Sequence, residues 1–187
     1  KKMIEAIVYT LTDIDGIDKV IIKVEGEVLT NLPNSKENLP TVLDRSYGIN
    51  KTYDLVTMSD IQSYTVYYVN SYNDEEYYVP ITKYVNGKGD DPIKVIIKEL
   101  SSSPIYETNL MSYLNSEASL LDYEYIDSTL KLNFNELLLN GIDNKNILEE
   151  VIYTISLSAS DLYDDLEMVS FYVNDKEVLT MNIDDIE

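Results

Sequence analysis

Two stretches of the chain carry the same order of apolar and polar positions. Residues 4–10 read IEAIVYT and residues 148–154 read LEEVIYT; after a polar break come VIIKVEGEVLT at 20–30 and VSFYVNDKEVLT at 169–180, both ending on Glu-Val-Leu-Thr. Met3, Ile4, Ile7, Val8 and Leu11 recur with the spacing of one helical stripe, as do Ile147, Leu148, Val151, Ile152 and Ile155. The runs after them are rich in β-branched residues and are broken by the turn pairs Glu25-Gly26 and Asn174-Asp175, so each copy predicts a helix and then a tight hairpin. The copies stand 144 residues apart at the helix and 150 at the hairpin end. That difference predicts a six-residue insertion between helix and strand, placed in the polar segment 160–167.

Between the copies, 65–70 and 76–85 are Tyr/Val/Ile-rich and predict two strands joined through Ser71-Tyr72-Asn73-Asp74. Asn86-Gly87-Lys88-Gly89 breaks this pattern. A helix is predicted from Asp90 or Asp91 as N-cap, with Pro92 in its first turn and Ile93, Ile96, Ile97 and Leu100 on one face, stopping at Ser101-Ser102-Ser103-Pro104. Residues 120–125 and 130–134 predict a further hairpin, with Leu130, Leu132 and Phe134 inward and Lys131 and Asn133 outward. Residues 64–187 therefore read as a complete α+β module of mainly antiparallel sheet with helices packed on one face. Residues 1–44 read as the C-terminal part of a first such module, helix plus hairpin, and 45–63 as a linker. By analogy with the stretch from residue 64 to residue 148, a front portion of 84 residues is expected upstream.

Composition narrows the chemistry. The chain has 187 residues and a net charge of −20, with neither His nor Cys. Such a charge repels phosphate backbones, which argues against nucleic-acid partners. The missing imidazole and thiolate remove most nucleophilic and transition-metal constellations, leaving oxygen chemistry and Lys. No run approaches the length of a membrane-spanning helix. Asp13-Ile14-Asp15-Gly16-Ile17-Asp18 fails as a calcium loop, because setting Gly16 at loop position 6 puts Leu11 at position 1 and Ile22 at position 12. Gly87-Lys88-Gly89 is no phosphate loop, since Thr82 stands where the first Gly is needed. Acids such as Glu75, Glu76, Asp90 and Asp91 are too numerous for any pair to mark a glycosidase, and Lys98 before Ser101-Ser102-Ser103 is explained by a helix end. No catalytic residue, cofactor, metal site or small-molecule substrate is expected. The anomaly is 17 Tyr against 2 Phe and no Trp. Tyr67, Tyr68, Tyr72, Tyr77 and Tyr78 gather on the first hairpin of the complete module, and those on its outer face suit a protein interface or a sugar ring.

The order YYVN, YYVPITKYV, DPIKVIIKELSSSP, SLLDYEYIDSTLKLNF, LEEVIYT and VSFYVNDKEV resembles the GerM domain family of sporulation and spore-germination proteins. The resemblance covers 64–187, and residues 3–49, with Asp44-Arg45-Ser46-Tyr47 and Ile49-Asn50, resemble the end of a preceding domain of that kind. Ser103-Pro104 departs from the Gly-Pro usual in the family. The resemblance implies a ring-building-motif fold and a non-enzymatic assembly module of the cell envelope. It further implies an exported chain with a lipid anchor upstream, touching the membrane only through that anchor and working in the space between mother cell and forespore. Its partners would be proteins of an envelope or sporulation channel complex, with homo-oligomers possible. The alternative is a carbohydrate-binding envelope domain that takes peptidoglycan fragments on the exposed tyrosines.

Overall fold

The computed structural model describes residues 1–32, 35, 37–87, 89–102, 109–139 and 145–186. Pro33, Lys88 and the Ser103-Pro104 stop lie outside the described residues. The chain divides into two compact units, Lys1–Tyr53 and Asp54–Glu187. The boundary falls inside the stretch read as a linker. That stretch carries structure of its own: Arg45–Tyr47 forms a 3-10 turn, the short strand β3 (Thr52–Asp54) straddles the boundary, and the next strand, β4 (Ile61–Tyr72), already begins within it.

In the first unit, α1 (Lys2–Leu11) precedes the short hairpin β1 (Lys23–Val24) and β2 (Glu27–Val28). Ile4, Val8, Val20, Leu32, Leu39 and Leu43 form its core. The helical stripe is narrower than its sequence suggests: Met3 is 73% and Ile7 40% exposed, and Glu5 and Tyr9 are buried in their place. The counterparts of Met3 and Ile7 in the second copy, Ile147 and Val151, are core residues. The first copy therefore shows open apolar positions that the second copy covers.

The second unit opens with a long antiparallel ribbon, β4 (Ile61–Tyr72) and β5 (Glu75–Asn86). Next along the chain come α2 (Pro92–Ser101), β6 (Leu120–Ile126), β7 (Thr129–Phe134), α3 (Glu149–Ser160), β8 (Met168–Val173) and β9 (Lys176–Asn182). Asp91 caps α2 by accepting from the Lys94 amide at 3.4 Å, and Ile93, Ile96, Ile97 and Leu100 are its buried face. The four-stranded sheet runs β6-β7-β8-β9. Its outer pairs are antiparallel, as expected, but β7 and β8 run parallel, with Leu132 opposite Phe171 and Phe134 opposite Val173. A parallel neighbour requires a crossover, which α3 supplies. Glu25-Gly26, Asn73-Asp74, Asp127-Ser128 and Asn174-Asp175 all take positive φ at both central positions. This is the backbone of the two-residue hairpin turn whose twist matches that of the strands.

The paired hairpins refine the expected insertion. Ile22 faces Leu29 in the first copy as Phe171 faces Leu179 in the second, where the register slips between Phe171 and Tyr172. Five of the six extra residues thus lie between helix and strand, and the sixth, Val178, is a β-bulge within the hairpin.

The helix α3 carries buried Thr154, Ser156 and Ser158, positions that the apolar pattern does not mark. Each hydroxyl finds an acceptor. Ser158 Oγ donates to the Thr154 carbonyl at 2.6 Å and accepts from the Tyr67 amide at 2.9 Å, tying the middle of β4 to the helix. Ser158→Ala is expected to cost about 1–2 kcal/mol by removing that hydrogen bond, and hydrogen exchange at Tyr67 should speed up accordingly. Unchanged exchange would show that the hydroxyl does not hold the strand.

Candidate functional site

The five tyrosines proposed as a contact surface do not share one environment. Alternation along β4 sends Tyr68 inward, where it is 2% exposed and part of the core. It drops out of any partner surface. Beside it, Lys83 donates to Glu99: burial lowers the ammonium pKa, and the hydrogen bond to Glu99 together with the nearby Tyr68 phenol more than reverses that. Tyr67 is half-buried, and its amide donates to Ser158 of α3. Tyr72 (71% exposed) and Tyr77 (44%) stand at the far end of the ribbon beside the Asn73-Asp74 turn, where they frame a cavity of about 310 Å³ with Glu75 and Glu76. The ribbon thus brings two of the five together as an outward pair.

Tyr78 belongs to a different cavity, of about 270 Å³, lined by Glu76, Tyr78, Glu149, Glu150, Tyr153 and Asp185. The rings of Tyr78 and Tyr153 meet at 5.6 Å with a 59° tilt, and the Tyr113 hydroxyl donates to Glu76 at 3.1 Å. Burial first, then the charges of Glu149, Glu150 and Glu76, push the Tyr78 phenol up to about 12. Adjacent acids are tolerated here because Glu149 and Glu150 sit in the first turn of α3, where the helix dipole favours negative charge. The sequence signal for this cavity was the Leu-Glu-Glu of the second repeat, which periodicity alone reads as a solvated helix start.

At the other end of the ribbon, the Asn86 side chain holds the loop before β4 through four hydrogen bonds. Its Oδ1 accepts from Val56 (2.6 Å) and Thr57 (2.9 Å), and its Nδ2 donates to the carbonyls of Thr57 (2.9 Å) and Ser59 (2.8 Å). In the first unit, the acidic run 13–18 serves structure: Asp13 lies 3.1 Å from Arg45. Among the described residues, no helix is long and apolar enough to cross a membrane.

The sequence profile of the Germane family, described as sporulation and spore germination, matches residues 1–30 and 65–179. The chain belongs to the Germane family. Over 183 residues it is 31% identical to the spore germination protein GerM of Bacillus subtilis (strain 168), covering 96% of this chain and 50% of that relative. It spans about half the length of the curated relative it matches. Among solved structures, the tandem GerMN domains of the sporulation protein GerM from Bacillus subtilis superpose with a TM-score of 0.84 at 30% identity, covering 94% of this chain and 61% of that one. The α+β architecture is therefore that of the family. Germane membership places the chain among sporulation and spore-germination proteins, and these relatives bear the names of such proteins rather than of enzymes.

Proposed function

We propose that this chain is a non-enzymatic assembly module of the cell envelope that helps build the channel joining mother cell and forespore. In this reading it is exported, anchored by a lipid upstream of the described domains, and binds protein partners of the channel complex. The observation that carries the reading is the outward pair Tyr72 and Tyr77. They sit at the turn end of a ribbon of two 12-residue strands, whose β4 packs on α2 and α3, and exposed tyrosines presented on a packed element are what protein interfaces use. The same reading makes the first unit the closing part of a preceding domain, whose front portion would cover Met3 and Ile7 as the second unit covers Ile147 and Val151.

The test is a Tyr72→Ala/Tyr77→Ala chain expressed in place of the wild-type protein in sporulating cells. Counts of heat-resistant spores should fall by at least about tenfold while the thermal midpoint of the purified chain stays unchanged, since both side chains are exposed. Wild-type spore counts would overturn the assignment. A second reading, a glycan-binding domain, draws on the cavity formed by Tyr72, Glu75, Glu76 and Tyr77, because rings beside carboxylates suit a sugar's faces and hydroxyls. Saturation transfer from these tyrosines to a soluble peptidoglycan fragment would favour it, and no transfer would remove it.

A further inference from the structure

Val56 and Met58 are 90% and 86% exposed, more than any other large apolar side chain among the described residues. Their loop is nonetheless fixed, because the four hydrogen bonds of the Asn86 side chain engage both its oxygen and its nitrogen. Thr57 Oγ1 adds a contact with Ser59 Oγ at 3.1 Å, Asp60 turns the chain at φ 53°, and the Gly87 amide donates to the Asp60 carbonyl at 3.0 Å. Both residues of the 86–87 pair are demanded by this arrangement. Position 86 needs a short amide, which accepts at one atom and donates at the other. A Cβ at position 87 would stand 2.9 Å from Asp90 Oδ2 and 3.3 Å from Gln62 Oε1, so a side chain there would push both aside.

The same pair is a covalent weak point. In Asn-Gly the backbone nitrogen of the glycine reaches the preceding side-chain carbonyl carbon with no Cβ to hinder it. The Gly87 nitrogen loses its proton and attacks Asn86 Cγ; the bond from Cγ to Nδ2 breaks, Nδ2 takes up a proton and leaves as ammonia, and a cyclic succinimide remains. Water then opens either ring carbonyl and leaves aspartate or isoaspartate at position 86, so water is consumed and ammonia released in equal amounts. The closed loop obstructs the first step, since the attacking nitrogen and the leaving group are both held in hydrogen bonds. We propose that Asn86 is a deamidation site gated by the loop 55–60: the closed loop protects it, opening exposes it, and the reaction then unfastens the loop that presents Val56 and Met58. The step runs one way because of donors and acceptors. A carboxylate at 86 only accepts, so the oxygen replacing Nδ2 would face the carbonyls of Thr57 and Ser59, 2.9 and 2.8 Å from that position, and repel them. Exposed loops belong to the parts of a fold that open at least cost.

The test follows deamidation at Asn86 by peptide mapping of the full chain in mildly alkaline buffer, beside a capped peptide of residues 84–90, YVNGKGD. Mapping separates it from the chain's other Asn-Gly pair, Asn140-Gly141, which lies outside the described residues. The peptide should react at least about tenfold faster than the folded chain, by a factor that matches the hydrogen-exchange protection of the Gly87 amide, because both reactions pass through the same opening. Thr57→Gly loosens the loop without altering the 86–87 pair and should raise the rate in the folded chain about threefold. Asn86→Asp carries the product from the start: exchange at the Val56 and Thr57 amides should quicken about tenfold while the amides of α3 keep their wild-type protection, which also reports that the variant is folded. The deamidated fraction of aged wild-type chain, formed in the folded state, should show the same. Three results would overturn the proposal: equal rates in peptide and folded chain, a rate indifferent to Thr57→Gly, or unchanged exchange at Val56 and Thr57 once position 86 is an aspartate.

Discussion

Phe171→Ala should destabilise the second unit by about 3–5 kcal/mol, read as a lowered urea midpoint with the slope of the transition unchanged. The chain has only two Phe, and both are fully buried on the adjacent strands β7 and β8, Phe171 facing Leu132 and Phe134 facing Val173. Removing a ring there leaves a void that the close-packed neighbours Leu130, Leu132 and Val169 fill only in part. Since a domain of this size has about 5–15 kcal/mol in total, roughly a fifth or more of the stability should go. Phe171→Tyr makes the converse test. Its hydroxyl would enter a site lined by apolar side chains, and the cost should be about 1–3 kcal/mol. A neutral Tyr at this position would mean that the core is wetter than its packing shows, and that the choice of Phe over the abundant Tyr carries no meaning.

The second large effect is alkaline lability. An unfolded tyrosine ionises near pH 10, whereas in the folded chain several phenols are held protonated well above that. Burial raises Tyr64 and Tyr68. Burial with the Asp91 hydrogen bond takes Tyr123 to about 12, and burial with the neighbouring glutamates does the same for Tyr78. A raised folded pKa means that the folded state binds more protons than the unfolded chain between about pH 10 and 12. Its contribution is therefore complete below about pH 10 and is lost as the pH rises through the folded pKa values. Each pH unit of displacement is worth up to about 1.4 kcal/mol. Tyr78 and Tyr123 contribute less than that because solvent screens them, and the combined loss should be about 3–6 kcal/mol. Lys51 works the other way, its pKa lowered by burial against the pull of Glu5, so its cost is relieved as the pH rises. Urea midpoints at about pH 8, 10, 11 and 12, followed beside phenolate absorbance, check this. Midpoints that stay level while all 17 tyrosines titrate near 10 would show that the phenols are in solvent.

Periodicity in the sequence was enough to place α2 with its cap and its four buried aliphatic residues, the inward Leu130, Leu132 and Phe134, and the turn pairs, because each depends on neighbours a few residues away. It also identified the repeat, and the order of motifs along residues 64–187 carried the family resemblance. Tertiary structure alone decided the rest. It buried Tyr68 while leaving Tyr72 and Tyr77 on the same face outside, because only the packing of the ribbon says how far along it the core reaches. It made β7 and β8 parallel, because pairing partners far apart in sequence leave no local mark. It buried Thr154, Ser156 and Ser158, polar residues whose hydrogen bonds, to nearby carbonyls, to the Met181 sulfur and from the Tyr67 amide, satisfy them inside a helix. And it closed Glu5 and Tyr9 under residues 44–51, while their counterparts Glu149 and Tyr153 line a cavity. A side chain's fate depends on what is brought against it, and that is settled by contacts between segments distant along the chain.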